Sequence, residues 1–279
     1  MALRKLKNIM GCKQSIGHNI LYNGRLVPLR DIQCLGKEVP GCDAFRVKKI
    51  MTWNIQELFW YLSPGKLDNV LSYLLDADCD VICLQEVFES NSLERIINSV
   101  ELRKRYPFFA TGDLRSKYVL GESSGLLVLS VYPIRITRFV PVPGLTFPDS
   151  FASKGILYFA IGGCNFATTH LQSDNQRLAG YQLLYLLYHS PFGRDFILLG
   201  DLNHEQAERV LRVSRTNAFI THDSNRILDY ILPLGGHKVR VYRDSIDLTN
   251  CSDHYPLIGV LEQGPPAETE AEDATAQDT

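Results

Sequence analysis

The feature that most constrains the fold is a series of short, mainly apolar runs, such as VICLQEV, GLLVLSV, GILYFAI and FILLG. Runs of this kind are typical of strands that are buried on both faces. In the first half of the chain, amphipathic helical segments (GKLDNVLSYLLDAD and SLERIINSVELRKRY) separate the strands. Elsewhere strands follow each other directly, as in GILYFAI-GG-CNFATTHL. Helices are also predicted over residues 176–190 and around HEQAERVLRV.

This mixture of helical connections and hairpins predicts an α/β fold of four layers, α/β/β/α, in which two mixed sheets pack face to face with helices outside. A doubly wound Rossmann fold fits less well. The sequence lacks a G-x-G-x-x-G motif at the start of a helix, and the hairpins would interrupt an all-parallel sheet.

One domain is predicted over residues 47–262. Residues 1–46 are interpreted as a basic amino-terminal arm, since residues 1–49 hold ten Lys and Arg against three acids. Asn23-Gly24 within this arm predicts a tight hairpin turn. Residues 262–279 carry six acids and no Lys or Arg. With so little apolar content, residues 263–279 are expected to be a disordered acidic tail.

The seven cysteines are scattered and form no CxxC pair, which favours buried thiols in a reducing compartment. No apolar run is long enough to suggest a membrane span, and the amino-terminal segment lacks the apolar stretch of a signal peptide. We therefore expect an intracellular protein.

Polar side chains recur beside the apolar strands. In chain order they are Asn54, Glu86, His170, Asp201, Asn203, Asp229, Asp253 and His254. Each alone has an ordinary structural explanation, such as a helix cap or a satisfied core histidine. Because strand ends converge on one edge of a layered fold, the whole set predicts an active site.

The chemistry of this set favours a hard cation. Carboxylate and amide oxygens suit Mg²⁺, with Mn²⁺ as a substitute, better than zinc. The sequence shows no G-x-S-x-G motif and no convincing Cys–His nucleophile. Attack of water on a phosphoester is therefore favoured over a covalent route.

The segments WNIQ, LQEVF, GLLVLSVYPI, TTHLQS, GDLN, LDYIL and SDHYPL, in this order, resemble the endonuclease–exonuclease–phosphatase superfamily. The resemblance covers residues 48–262. It implies that Asn54 and Glu86 bind the divalent ion, and that Asp253 supports the metal site.

The same resemblance assigns the catalytic groups. His254 would be the general base, and Asp229 would orient it. Asp201 and Asn203 would hold the attacking water and the phosphate, while His170 would stabilise the charge that develops on phosphorus.

Within the superfamily, PDSFASKGILYF resembles the Asp-x-x-x-x-Lys-Gly loop of neutral sphingomyelinases, with Asp149, Lys154 and Gly155 at the matching places. Lys154 would meet the phosphate or pair with Asp149, and a plain turn with an exposed lysine is the structural alternative. Phe88, which extends LQEVF, and Gln172, which extends THLQS, also resemble the pattern of the sphingomyelinases. This likeness implies hydrolysis of sphingomyelin or a related phosphosphingolipid at a membrane surface.

Other functions stay open at this point. The inositol polyphosphate 5-phosphatases are disfavoured, because ILDYIL stands where they carry Trp-Cys-Asp-Arg. A metal-dependent nuclease or deadenylase is an alternative, although no basic, aromatic-rich stripe predicts a stable nucleic-acid partner. A catalytically silent binding module is a second alternative, but Glu86 and His254 are both present. The spacing between Asn203 and Asp229 is shorter than in secreted bacterial sphingomyelinases, and their aromatic hairpin is not evident.

A membrane anchor is a further hypothesis. MGCKQS, residues 10–15, would direct myristoylation of Gly11 and palmitoylation of Cys12 if translation began at Met10. With Met1 as the start, Gly11 is internal and cannot be myristoylated. The expected location is the cytoplasm or the cytoplasmic face of a membrane.

Overall fold

The computed structural model describes residues 19–28, 31, 46–58, 63–114, 123–216 and 218–262. The strands in this part of the chain are β1 (Asn19–Tyr22), β2 (Arg25–Pro28), β3 (Lys49–Glu57), β4 (Val81–Val87), β5 (Phe108–Thr111), β6 (Leu127–Ser130), β7 (Arg135–Pro141), β8 (Gly155–Ile161), β9 (Cys164–His170), β10 (Ile197–Asp201), β11 (Asp229–Pro233), β12 (Val239–Arg243) and β13 (Leu257–Leu261). The helices are α1 (Lys66–Asp76), α2 (Ser90–Asn98), α3 (Val100–Arg105), α4 (Gln176–His189) and α5 (Ala207–Leu211), with a 3₁₀ turn at Asp149–Phe151.

The strands form two mixed sheets. The larger sheet has the order β12-β13-β3-β4-β6-β5-β1-β2, and the smaller has the order β11-β10-β9-β8-β7. Each sheet contains one parallel pair, β3 with β4 and β9 with β10, and the other pairings are antiparallel. These two parallel pairs matter for the site, because they bring the carboxyl ends of neighbouring strands together.

Residues on successive positions of each central strand face two different cores. On β4, Val81 and Cys83 face the core between the sheets, whereas Ile82 and Leu84 face the helical layer. This alternation follows from the pleat of a strand, and it explains why the runs are apolar throughout. Phe159, Leu199 and others from the smaller sheet complete the central core.

Helices cover both outer faces. Helices α1, α2 and α3 pack on the larger sheet, and α4 packs on the smaller through Ala179, Leu183 and Leu186. The four-layer α/β/β/α sandwich predicted from the sequence is confirmed. The single helix predicted over SLERIINSVELRKRY is two helices, because Ser99 leaves the helical conformation and its side chain accepts a hydrogen bond from Leu102 N as the cap of α3.

The hairpin around Asn23-Gly24 is an integral part of the larger sheet. Tyr22 of β1 pairs with Ala110 of β5, and Ile20 is fully buried in the core between the sheets. The folded domain therefore begins before residue 47, the boundary drawn from the sequence. Residues 1–18 of the basic arm, which include MGCKQS, and the acidic tail at 263–279 lie outside the described residues.

Among the described residues, no helix combines the length and apolar character needed to cross a membrane. The described cysteines Cys79, Cys83, Cys164 and Cys251 are free thiols, and all but Cys164 are buried.

We expect Ile20→Ala to lower the free energy of unfolding by about 2–5 kcal/mol, because it opens a cavity between the sheets. Urea unfolding followed by circular dichroism measures this change. Val100→Ala, at a side chain that is 60% exposed, is the matched control and should be nearly neutral. Equal stability of Ile20→Ala and the wild type would show that the hairpin is only an appended arm.

Candidate active site

Three polar side chains of the smaller sheet lie at adjacent positions on neighbouring strands. His170, the last residue of β9, stands opposite Asp201, the last residue of the parallel strand β10. Asp229, the first residue of β11, stands opposite Asp201 on the other side, because β10 and β11 are antiparallel. The strand register therefore places all three at one edge of this sheet.

The larger sheet brings its own polar groups to the same edge. Asn54 of β3 donates one hydrogen bond from Nδ2 to Glu86 Oε1 on β4 (2.8 Å) and another to Asp201 Oδ2 (3.1 Å). The fully buried amide of Asn54 thus connects a carboxylate of the larger sheet with one of the smaller sheet. Asp253 and His254 reach this edge from the segment that precedes β13.

The backbone is strained around these residues. The φ angles of Gln56, Glu86 and Asn203 are all positive (φ 50, φ 58 and φ 48 in degrees, respectively). They lie in the left-handed region that residues other than glycine seldom adopt. The pairing of β3 with β4 also shifts register between Asn54 and Glu57. Such strain and such irregular pairing cluster at functional sites, where they redirect side chains.

His254 is fixed by its surroundings. Its Nδ1 lies 2.7 Å from Asp229 Oδ2, Trp53 Nε1 donates to its backbone oxygen (2.8 Å), and its backbone nitrogen donates to Ser252 Oγ (3.1 Å). On the other side of the ring, Nε2 lies 3.8 Å from Asp201 Oδ2 and 3.8 Å from Asp253 Oδ1. With the Nδ1 proton held by Asp229, this is the arrangement of a base and its orienting carboxylate.

Charge at the site controls the protonation of His254. Burial by itself lowers the pKa of this imidazole, but the carboxylates of Asp229, Asp201 and Asp253 outweigh burial and raise the pKa to about 10. Without added positive charge, His254 is therefore protonated at neutral pH. Burial and the neighbouring Asp229 raise the pKa of Asp201 to about 7, another sign of excess negative charge.

His170 has the opposite environment. Burial, together with Lys154 and His254, holds its pKa well below the ordinary histidine value, so this ring is neutral. Its Nε2 lies 3.1 Å from Lys154 Nζ. A neutral ring accepts a hydrogen bond from an ammonium there. The proton of this tautomer is then on Nδ1, a buried atom without a hydrogen-bond partner among the described residues.

Lys154 and Asp149 form a buried ion pair with Nζ and Oδ1 2.6 Å apart, and the lysine side chain is only 1% exposed. Lys154 also donates to Leu171 O (2.8 Å), and Asp149 Oδ2 accepts from the backbone nitrogen and hydroxyl of Ser173 (2.6 and 2.8 Å). Lys154 is therefore not the exposed lysine of a plain turn. The pair ties the loop before β8 to the end of β9.

Asn203 lines the same site but its amide is engaged. Its Nδ2 donates to Leu171 O (3.1 Å), and its backbone nitrogen donates to Asp201 Oδ1 (3.0 Å). The structure places Asn203 beside Asp201, as the sequence indicated. Its contact with a water molecule or phosphate stays a prediction.

The acidic groups suit a divalent cation. Within the described part of the chain, Glu86 Oε2 and Asp253 Oδ1 are buried without a hydrogen-bond partner. A buried carboxylate oxygen normally has one. Ligand atoms of Glu86, His170 and Asp201 all lie within 4.8 Å of one another. Burial raises the pKa of Glu86, which shows how poorly its charge is compensated by the protein alone.

Asn54 presents its nitrogen, not its oxygen, to the acidic groups. Its Oδ1 instead accepts a hydrogen bond from the backbone nitrogen of Gln56 (3.0 Å). In this structure Asn54 therefore positions Glu86 and Asp201 by donating to them. Direct coordination of a metal by Asn54 stays a prediction that would need the amide to turn over.

Two further side chains at the site were not selected from the sequence. Gln56 donates from Nε2 to Asp253 Oδ2 (2.7 Å), and His222 Nε2 lies 3.4 Å from the same oxygen. The His222 ring also packs edge-on against His254, with centroids 4.5 Å apart. Gln56 falls within the WNIQ segment, so the resemblance of that segment to the superfamily could have identified it. His222 lies in a loop, where no periodicity indicates which side chains face the site.

The site opens into a cavity of about 500 Å³. Its described lining contains five carboxylates and one side chain of permanent positive charge, Arg226. The carboxylates belong to Glu86, Asp149, Asp174, Asp201 and Asp253. Lys154 already offsets Asp149, and a bound cation that offset the other carboxylates would favour entry of a negatively charged substrate.

A model of the endonuclease/exonuclease/phosphatase family matches residues 51–254, a span that contains every catalytic or metal-binding residue predicted from the sequence. A comparison with characterised protein sequences gave no significant match.

Solved structures share the fold. Sphingomyelinase C from Streptomyces griseocarneus superposes with a TM-score of 0.59 at 18% identity, covering 78% of this chain and 100% of that one. A double mutant of beta toxin from Staphylococcus aureus with bound magnesium ions gives 0.59 at 17% identity, with 78% and 100% coverage. A humanized D. rerio TDP2 gives 0.52 at 17% identity, with 77% and 99% coverage. At these identities the likeness shows the fold alone.

We expect Mg²⁺ or Mn²⁺ to raise the melting temperature of the wild type, because an ion that binds only the folded state stabilises it. In Glu86→Gln, the ion concentration that gives half of the full rise in melting temperature should be at least about tenfold higher, since the substitution removes one carboxylate ligand. A thermal-shift titration measures it. Glu101→Gln, at an exposed glutamate of α3, is the control and should titrate like the wild type. An unchanged titration in Glu86→Gln would contradict the assigned site.

Lys154→Met should lower the free energy of unfolding by about 3–5 kcal/mol, because it leaves the Asp149 carboxylate buried without its partner. The double variant Asp149→Asn/Lys154→Met should recover part of this loss, since neither charge then remains. Denaturant unfolding of the single and double variants measures the coupling. Lys104→Met, at an exposed lysine of α3, should have little effect. Additive losses would show that the pair contributes no mutual stabilisation.

Proposed function

The chain belongs to the endonuclease/exonuclease/phosphatase family, and we propose that it is a Mg²⁺-dependent phosphodiesterase that hydrolyses sphingomyelin or a related phosphosphingolipid. Water would attack the phosphorus, and the bond between phosphorus and the primary oxygen of the ceramide would break. The products are ceramide and the phospho-headgroup. The family as a whole supports hydrolysis of a phosphoester, and the lipid substrate is the proposed refinement.

The observation that carries the lipid assignment is the contact between Lys154 and His170. The loop that resembles that of neutral sphingomyelinases, residues 148–155, reaches the wall of the catalytic cavity through this contact (3.1 Å) and through Asp149, which lines the cavity. The loop is thus built into the site. The likeness of the fold to that of sphingomyelinase C is consistent with this assignment.

His254 is the proposed general base. Asp229 lies against Nδ1 and holds its proton, which leaves Nε2 as the proton acceptor of a neutral ring that lines the cavity. There it can accept a proton from water. Asp229 also stabilises the imidazolium that results. The departing ceramide alkoxide would take a proton from water, and the imidazolium would return its proton to the solvent, which restores the neutral ring.

A divalent cation held by Glu86, with Asp201 and Asp253 beside it, would neutralise charge on the phosphodiester and on the departing oxygen, and would offset the carboxylates that keep His254 protonated. His170 would stabilise the charge that develops on phosphorus, and its Nε2, 3.7 Å from Glu86 Oε1 and 3.6 Å from Asp201 Oδ2, is the ring nitrogen nearest to the acidic groups. Asn54 keeps Glu86 and Asp201 at a fixed separation through its two hydrogen bonds.

Nucleic-acid hydrolysis is the alternative on the same scaffold, because the family that this chain matches is named for endonucleases and exonucleases as well as phosphatases. Proteins that track a polynucleotide backbone line their groove with Lys and Arg. Arg226 is the one such side chain among the described residues that line this cavity. The charge of the site therefore favours a substrate with a single phosphodiester over a polynucleotide.

A lipid substrate places the enzyme at a membrane surface. We propose the cytoplasmic face, in line with the intracellular location expected from the scattered cysteines. Acylation at Gly11 and Cys12 after a start at Met10 would supply an anchor.

The decisive experiment measures Mg²⁺-dependent release of phosphocholine from sphingomyelin vesicles, with single-stranded DNA and RNA cleavage measured in parallel. We expect headgroup release by the wild type and a loss of about 10²–10⁴-fold in kcat for His254→Ala, because the base is removed. His189→Ala, at the distant end of α4, controls for loss of a histidine as such. Nucleic-acid cleavage without headgroup release would reject the lipid assignment and leave the metal site intact.

A further inference from the structure

Two phenylalanine side chains project into solvent beside the catalytic cavity. Phe147 is 79% exposed and Phe151 is 53% exposed, and their rings pack edge to face with centroids 5.9 Å apart. Single exposed apolar residues are common on protein surfaces and need no explanation. A contacting pair of large exposed aromatic rings is different, because together they form one apolar patch.

The position of this pair connects it with the site. Phe147 directly precedes Pro148 and Asp149, and Phe151 directly precedes Ala152, and these three neighbours all line the cavity. The Phe147–Phe151 pair therefore lies on the rim of the opening. A ligand that enters the cavity from an extended surface would bring that surface against both rings.

The rings are not exposed because their segment is loosely held. The backbone nitrogen of Thr146 donates to Gln172 Oε1 (2.9 Å), and that of Ser150 donates to Thr146 O (2.9 Å). Asp149, between the two rings in the chain, is held by Lys154 and Ser173. The segment is fixed by polar contacts beneath it, so both apolar side chains are held outward.

We propose that the Phe147–Phe151 pair inserts into the interfacial region of a lipid bilayer and holds the cavity over its headgroups. This inference rests on the proposed function, since a lipid substrate is delivered from a bilayer. Aromatic side chains on a surface element insert about 5–10 Å, to the boundary between headgroups and acyl chains. The phosphodiester of a sphingolipid lies in the headgroup layer just outside that boundary, so insertion at the rim would present the scissile group to the cavity.

A second exposed apolar stripe provides the matched control. Tyr181, Leu184 and Tyr188 are 57%, 53% and 85% exposed. Their spacing along α4 places them on one face of that helix. None of the three is among the described residues that line the cavity. If any exposed apolar side chain bound lipid, both patches would contribute to vesicle binding, whereas the inference predicts that, of the two patches, only the Phe147–Phe151 pair contributes.

Membrane binding is measured first, in a His254→Ala background that prevents hydrolysis, by sedimentation with vesicles of sphingomyelin and phosphatidylcholine. Phe147→Ala and Phe151→Ala should each weaken partitioning about tenfold, and the double variant about a hundredfold, because each removes most of one buried ring. Tyr188→Ala should partition like the parent. Equal partitioning of the parent and the Phe147→Ala/Phe151→Ala double variant would overturn the inference.

Activity separates this inference from the proposed function. The ratio of kcat/KM on vesicles to kcat/KM on a water-soluble, short-chain sphingomyelin should fall about tenfold in each single variant. A wild type that binds vesicles through the two rings but releases no headgroup rejects the proposed function and leaves the binding inference standing. If this ratio is the same in the double variant as in the wild type, the binding inference is rejected and the proposed function is left standing.

Phe147→Trp provides a direct readout of insertion. The new indole should restore vesicle binding, and its fluorescence should shift to shorter wavelength when vesicles are added, because the ring leaves water. A tryptophan signal that does not respond to vesicles would overturn the inference. So would self-association in sedimentation velocity that the double variant abolishes while vesicle binding persists, because the surface would then belong to a second copy of the chain.

Discussion

The geometry of the site depends on the amide of Asn54, which donates to carboxylates of two different sheets. One of its hydrogen bonds reaches Glu86 on the neighbouring strand of the larger sheet, and the other reaches Asp201 on the smaller sheet. The apolar contacts between two sheets that pack face to face have no directional preference of their own. A buried amide with two short hydrogen bonds is directional, so it fixes how the two edges meet. The catalytic groups of both sheets then keep a constant separation.

This arrangement concentrates negative charge where water is scarce. Asp201 and Asp229 are buried side by side, Glu86 is held against Asp201 by Asn54, and Asp253 lies next to His254. Burying unpaired carboxylates is costly, and the protein offsets part of that cost with the His254 imidazole and the Asn54 amide. The raised pKa of both Asp201 and His254 reflects the remaining imbalance. A bound cation would remove that imbalance and return His254 to a neutral base, so the metal and the base are two parts of one electrostatic arrangement.

Much of this could be predicted from the sequence, and the reasons differ by residue. His170 and Asp201 end strands that are recognisable as apolar runs, and the parallel pairing of those strands brings the two residues together. The direction of the Asn54 amide could not be predicted, because oxygen and nitrogen compete for partners that belong to other strands. His222 lies in a loop, where no periodicity indicates which side chains face inward. The hairpin at Asn23-Gly24 was recognisable as a turn, but its attachment to β5 depends on a long-range pairing that local sequence does not encode.

The Asp149–Lys154 loop gives the site two different surfaces. Its inner side is polar: Lys154 is buried against His170, and Asp149 closes the ion pair at the cavity wall. Its outer side is apolar, because Phe147 and Phe151 flank the same aspartate and point outward. The ion pair that shapes the catalytic wall therefore also anchors the segment from which the two rings project. A substrate with a charged headgroup and an apolar body matches this division, since its phosphate can enter the polar cavity while its chains stay with the rings. Any movement that broke the ion pair would change the cavity wall and the proposed membrane contact together, which would couple binding at the surface to the geometry around His170.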